Sequence, residues 1–184
     1  PWARALEKEL LGLRGVTQAT LAGSARRRRE TVGDLDMLVV AKNPKPVMDY
    51  FVAMSDVEEV LANGETKSAV RLKNGLQVDL RVVSAQSYGA ALNYFTGSRD
   101  HNIALLKIAQ DKGLKLNEYG LFKGEKMVVG ETEEDIYKCL GLEFIPPELR
   151  ENAGEVELAQ KSSLPKLVGY SDLRGDLQVQ TSWT

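Results

Sequence analysis

The chain has 184 residues, 43% of them hydrophobic, with a single cysteine and a single histidine. That length makes one domain or two small ones with a real core, while a lone Cys139 and a lone His101 exclude a disulfide framework, a cysteine-based zinc site within one copy and His-rich metal centres. Its 26 acidic and 24 basic residues leave a net charge of −2, which speaks against a uniformly basic nucleic-acid binder and makes carboxylates the default chemistry, although Arg26 to Arg29 is an unbroken basic run.

Residues 2–14 place Trp2, Leu6, Leu10 and Leu13 at helical spacing, and Gly15 ends that amphipathic helix. Thr17 to Ala22 reads as a short strand, and Gly23 to Gly33 as a polar, basic loop or short helical excursion. Asp34 to Ala41 is a strand with Leu35, Met37 and Val39 on one face and Asp34, Asp36 and Leu38 on the other. Pro46 to Met54 is a short helix. Strands follow at Val57 to Ala62, Thr66 to Leu72 and Leu76 to Val83, the last two joined by the hairpin signal Asn74-Gly75. Residues 85–95 and 99–112 are helical, broken at Thr96-Gly97, with Gly113 as C-terminal stop.

Short strands are expected at Lys115 to Leu116, Leu121 to Phe122 and Met127 to Val129. Thr132 then caps a helix, with Asp135 in the position of a capping-box acid. Cys139 in this apolar segment is expected to be a small core residue. Pro146-Pro147 stops regular structure, and the polar residues 151–172 read as a linker. Strands first and helices later indicate an α+β domain followed by a smaller mixed one, with the boundary near residue 85.

Two constellations carry chemistry. Asp34 and Asp36 sit two apart on a strand and share a face, and so do Asp79 and Arg81. If the two strands are neighbours, three carboxylates converge, and such a cluster needs protons or cations to neutralise it. Mg²⁺ suits it, because Mg²⁺ takes a few carboxylates plus substrate phosphates. The bland alternative, aspartates solvating an exposed sheet face, stays open on spacing alone. Gly23, Ser24, Arg27 and Gly33 add backbone amides, a hydroxyl and a guanidinium of the kind that cradle phosphate.

The run Gly23-Ser24-Ala25-Arg26-Arg27-Arg28-Arg29-Glu30-Thr31-Val32-Gly33-Asp34-Leu35-Asp36 resembles the signature of the polymerase beta-like nucleotidyltransferases, and its filling that of the family X DNA polymerases. Val78-Asp79-Leu80-Arg81 resembles the family's third-carboxylate strand, and Tyr94-Phe95-Thr96-Gly97-Ser98 its nucleotide-selecting motif. Asn117 to Phe122 and Ile145 to Asn152 resemble the bacterial and archaeal branch.

The resemblance implies a palm with a mixed sheet and flanking helices in residues 1–86, a small mixed α/β nucleotide-selection subdomain in 87–150, and a linker with the truncated start of a polymerase-and-histidinol-phosphatase domain in 151–184. It implies that Asp34 and Asp36 hold two Mg²⁺ (or Mn²⁺) ions and that Asp79 holds the catalytic one. Ser24, Arg27 and the backbone around Gly23 and Gly33 would bind the triphosphate. Tyr94 and Phe95 would pack under the sugar, Gly97 would supply the bend, and Asn102 would meet the minor-groove edge of the incoming base. Arg81 would pair with carboxylates when the site is open, and His101 has no catalytic part.

The implied partners are a deoxynucleoside triphosphate (dNTP) and primer-template or gapped DNA. No apolar stretch is long enough to span a membrane, and a monomer is expected. The opening Pro1-Trp2-Ala3-Arg4 reads as the cut edge of a longer cytoplasmic protein, lacking the helix-hairpin-helix module that precedes the family's palm and so expected to hold DNA poorly. Two departures matter. Leu106 stands where the family usually has an arginine near the templating base, and Gln178 and Gln180 replace two metal-binding histidines of the following domain. The first keeps a template-independent nucleotidyltransferase in play. A non-catalytic nucleotide- or DNA-binding module is the third reading, against which all three aspartates speak.

Overall fold

Helix α1 (Trp2–Leu11) turns Leu6 and Leu10 inward, and strand β1 (Val16–Leu21) follows it. The computed structural model describes residues 2–175, so Gln178 and Gln180 lie outside the described residues. After β1 come a four-residue helix α2 (Gly23–Arg26), strand β2 (Asp34–Ala41), helix α3 (Pro44–Val52) and strands β3 (Val57–Asn63), β4 (Lys67–Leu72) and β5 (Gln77–Val83). They form a five-stranded sheet in the order β1-β2-β5-β4-β3. The β2–β5 pair is parallel and the others are antiparallel, so the sheet is mixed.

Alternation in β2 builds the layers. Leu35, Met37 and Val39 join Val78, Leu80 and Val82 of β5 in a core closed by Leu6 and Leu10 of α1 and Val47, Met48 and Phe51 of α3. The opposite face carries Asp34 and Asp36 at its open end, and at Leu38 it passes under a second layer. That layer is α4 (Tyr88–Thr96), whose Ala91 and Leu92 pack on Leu38 and Ala22.

Helix α5 (Arg99–Asp111), capped by the Ser98 hydroxyl, leads to a small antiparallel sheet of β6 (Lys115–Asn117), β7 (Gly120–Lys123) and β8 (Lys126–Val129). Helix α6 (Glu133–Leu140) starts at Thr132, whose Oγ1 accepts from the Asp135 amide at 3.2 Å. The fold is therefore the α+β fold read from the sequence, with a mixed sheet preceding a smaller mixed layer.

Two expectations are corrected. Residues 151–172 are not all linker: helix α7 (Glu155–Gln160) buries Val156 and Ala159 in the second core, beside Leu105, Ile136 and Leu140. Only two inward apolar residues in a charged hexamer carry that helix, too faint a period to read. Cys139 is exposed, because Ile136, Tyr137 and Leu140 take the inward stripe of α6 and position 139 falls beside it. No helix among the described residues is long and apolar enough to cross a membrane.

Candidate active site

The parallel pairing of β2 with β5 puts Asp36 directly across from Asp79, with Asp34 opposite Gln77. Asp34, Asp36 and Asp79 therefore lie on one sheet face within two residues of each other along neighbouring strands. The Asp36 pKa is raised to about 6, first by burial, then by the charges of Asp34 and Asp79. Arg81 and Lys67 pull it down, but not enough to offset burial.

Asp79 differs from the other two. Gln77 Nε2 donates to its Oδ1 at 2.9 Å, and Lys67 Nζ stands 3.5 Å from its Oδ2. Neither residue was singled out in the sequence. Lys67 comes from β4, one strand over, and only the register Lys67–Arg81 and Ala69–Asp79 brings it there. Arg81 lies over the Phe95 ring, its Cζ 4.3 Å from the centroid, rather than in a carboxylate pair.

Helix α2 crosses above Asp36. Gly23 has φ +63°, and a Cβ there would collide with the Asp36 carboxylate, so the position needs both the left-handed freedom and the missing side chain of glycine. The Ala22 amide donates to the Asp36 carbonyl at 2.7 Å, tying this turn to β2. Gly23, Ser24, Arg27, Asp34, Asp36, Tyr94, Phe95, Gly97, Asn102 and Leu106 line a single open cleft of about 560 Å³. Thr96 of α4 and Arg99 and Ile103 of α5 complete its wall.

Gly33 and Asp79 are not on that wall. Gly33 is exposed, with nothing near its Cα that a side chain would strike. Tyr94 and Phe95 meet edge to face at 5.2 Å, and Asn102 Nδ2 donates to the Tyr94 carbonyl at 2.7 Å, bridging the helix break that Gly97 makes at φ +69°.

The basic run is tied down by ion pairs, with Arg26 and Arg27 mostly withdrawn from water and Arg28 and Arg29 still exposed. Arg26 forms a two-pronged pair with Glu133 (2.9 and 2.6 Å) and also reaches the Thr96 hydroxyl at 2.7 Å. Arg28 pairs with Glu148 at 3.0 Å, and Arg27 and Arg29 with Glu151 at 2.8 and 3.7 Å. Four consecutive arginines of the first unit are thus docked on three glutamates of the second. The basic run is visible in the sequence, but its partners, more than a hundred residues on, are not.

An all-oxygen set of Asp34, Asp36 and Asp79 suits Mg²⁺ or Mn²⁺, and a bound cation would relieve Asp36, whose proton is held first by burial and then by the charges of its two neighbours. Among the described residues no three acidic, histidine or cysteine side chains stand close enough together to chelate one ion. Asp79 is near enough to raise Asp36 but is engaged by Lys67 and Gln77. The donors therefore fit the metal by type, with Asp79 needing release from those two partners.

Residues 91–151 match the DNA polymerase beta thumb family. The chain is 35% identical to DNA polymerase/3'-5' exonuclease PolX of Bacillus subtilis over 99% of its own length, and spans 32% of that protein. It is 30% identical to a Repair DNA polymerase X of African swine fever virus, covering 70% of this chain and 78% of the viral protein. DNA polymerase lambda of Rattus norvegicus is 27% identical over 70% of this chain and 28% of its own. Leishmania infantum polymerase beta, solved as ternary primer-template and gap complexes, shares the fold with a TM-score of 0.71 over 82% of this chain. It has 24% sequence identity in the first complex, over 73% of that chain, and 22% in the second, over 68%. With carboxylates, cleft and relatives in agreement, the chain belongs to the family X DNA polymerases.

Proposed function

We propose that this chain is the catalytic and nucleotide-binding part of a repair DNA polymerase that adds a deoxynucleotide to a primer 3′-hydroxyl and releases pyrophosphate. The observation that carries the reading is the Asp36–Asp79 register on parallel strands beneath a glycine turn, with Asp36 held near pKa 6 and facing a cleft that also presents Ser24 and Arg27. A sheet face that only needed solvation would not bury a carboxylate beside two like charges.

Residues 1–86 act as the palm and 87–150 as the nucleotide-selection subdomain, extended by α7. Asp34 and Asp36 would hold two divalent ions, and Asp79 would join on the catalytic one once free of Lys67 and Gln77. When bound, such ions neutralise the carboxylates and supply charge stabilisation at the attacking and leaving oxygens. Ser24 and Arg27 bind and orient the β and γ phosphates, with the amides of the Gly23 turn beside them; the Gly33 backbone, off the cleft wall, would have to approach to take part. Tyr94 and Phe95 support the sugar, and Asn102 meets the base edge. Most of the rate comes from alignment and charge neutralisation.

Template-independent transfer is the second reading, favoured by Leu106, an aliphatic residue on the cleft wall where a charged contact to the template would be expected. Both readings, and gap filling as the setting, are tested by single-nucleotide addition to a gapped primer in Mg²⁺ or Mn²⁺, with and without the template base, comparing the parent with Asp79→Ala. Templated addition that Asp79→Ala abolishes supports the polymerase. Equal addition without a template favours the second reading. Nucleotide binding with no addition under any condition, in the full-length protein as well, sinks both.

A further inference from the structure

Arg27 sits in the cleft with Ser24, Asp34 and Asp36, yet two edges of its guanidinium are already taken by the second unit. Its Nε donates to Glu151 Oε1 at 2.8 Å, and its Nη1 donates to the Thr96 carbonyl at 2.5 Å. A Cβ on Gly97 would stand 3.2 Å from Nη1, so the glycine leaves room for the guanidinium to lie against the helix end. The side chain is only 13% exposed, but Nη2 is not among the buried polar atoms left without a partner, and among the described residues it has no hydrogen bond. Its remaining face is thus open.

A carboxylate beside a phosphate-binding arginine either competes for it or orients it. Glu151 contacts Arg27 with one oxygen, on Nε, and leaves Nη2 free. Its own place is fixed from both sides. Arg150 before it is fully buried, and its carbonyl accepts from the Ser98 amide at 2.9 Å. After it, Asn152 and Ala153 donate their amides to Glu155 at 2.8 and 2.7 Å. Glu155 in turn meets His101 Nδ1 at 2.7 Å, and His101 Nε2 meets the Tyr137 hydroxyl at 2.8 Å. A buried polar chain that the reaction does not use therefore ends one residue from the contact to Arg27.

We infer that Glu151 is a positioning residue: with the Thr96 carbonyl it presets the Arg27 guanidinium so that its free Nη2 meets a phosphate of the incoming triphosphate. This rests on the nucleotide-binding reading above. It also assigns residues 151–155 to the nucleotide site rather than to a linker.

The test is calorimetric titration of the chain with dATP and, separately, dAMP in Mg²⁺. The proteins are the parent, Arg27→Ala, Glu151→Ala and Glu151→Gln, each with its melting temperature. Glu151 is 29% exposed, so its truncation leaves no buried hole. The parent should prefer dATP. Glu151→Ala should weaken dATP about tenfold, the lower end of what losing an orienting partner costs at metal sites. It should leave dAMP and the melting temperature unchanged. Glu151→Gln, whose amide oxygen still accepts from Nε, should recover most of the loss.

Unchanged or tighter dATP binding by Glu151→Ala would overturn the proposal and mark the carboxylate as a bystander or a competitor. Glu151→Gln as weak as Glu151→Ala would overturn it too, since orientation would then not be the cause. If the parent shows no preference for dATP and Arg27→Ala behaves like the parent, the nucleotide reading itself falls, and the positioning role with it.

Discussion

In the second unit, Glu133 is 4% exposed and sits between two guanidinium groups, Arg26 at 2.6 Å and Arg150 at 2.6 Å. Burial alone would raise its pKa, but the two arginines outweigh burial and hold it below the usual carboxylate value. Glu155, which burial alone would raise, is lowered as well by His101 and by the backbone amides of Asn152, Ala153 and its own residue. In the first unit Asp36 is also largely withdrawn from water, and its pKa goes the other way, to about 6, because burial raises it and the charges of Asp34 and Asp79 add to burial instead of opposing it. The difference separates two uses of a carboxylate. Where the fold needs the charge, it supplies a partner. Asp36 has no ion pair among the described residues, only the longer-range pull of Arg81 and Lys67, and the charge that would balance it is left for a ligand to bring.

The sharpest way to break the structural half of this comparison is Glu133→Ala. It strips Arg150, fully buried, of its ion pair, and a broken buried pair costs about 3–5 kcal/mol. Urea unfolding should show that loss, and a cost near zero would mean that the pairing is incidental. A smaller effect is expected at the cleft from Gly23→Ala. A left-handed φ costs a non-glycine residue about 1–2 kcal/mol, and the added methyl also displaces the Asp36 carboxylate. Nucleotide addition should therefore fall far more than stability does, and full activity in the Gly23→Ala variant would remove the argument from close approach.

The smallest effect is a pH slope. His101 is fully buried and its pKa is lowered, first by burial, with Glu155 pulling it up and Arg150 and Arg27 pushing it down. Above the unfolded value near 6.5 the ring is neutral in both states. As pH falls below it, the unfolded chain takes a proton that the folded chain refuses, and stability drops by at most about 1.4 kcal/mol per pH unit. Asp36 works in the opposite sense from about 6 down to 3.8, gaining a proton in the fold first. Glu133 and Glu155 act only below about 4.5. The melting temperature of the parent minus that of His101→Gln, followed from pH 8 to 5, isolates the histidine. A difference that does not change with pH would show that burial does not govern His101.

The sequence was most legible where a local signal and the tertiary structure agree. Asp34 to Met37 alternates and leads into a run of β-formers, and the strand has the bounds Asp34–Ala41. Asn74-Gly75 makes the turn between β4 and β5, with Gly75 at φ +83° and the Asn74 side chain accepting from the Leu76 amide at 3.0 Å. Motif spacing likewise brought most of the chosen residues to one cleft wall, Gly33 and Asp79 excepted. What stayed hidden depends on register or long-range pairing. Lys67 reaches Asp79 only because β4 lies beside β5 in one register. The partners of Arg26 to Arg29 are three glutamates scattered over α6 and the following turn, with nothing local to mark them. His101 gives no sequence hint of its two buried partners, because neither lies within a helical turn of it.

The most direct test of the central claim is a paired measurement on Asp36→Asn, which keeps the shape of the side chain and removes its charge. Single-turnover nucleotide addition to a gapped primer and thermal unfolding at pH 7 would be followed on the same preparation. The account predicts that addition falls by about a hundredfold to a thousandfold, as when a group that stabilises transition-state charge is removed. It predicts that the melting temperature rises by about 2–4 °C, the shift that 1 kcal/mol produces in a chain of this size, because a carboxylate destabilised in the fold is gone. Retained addition, or a melting temperature that falls, would contradict it: Asp36 would then be one more partnered charge holding the structure together.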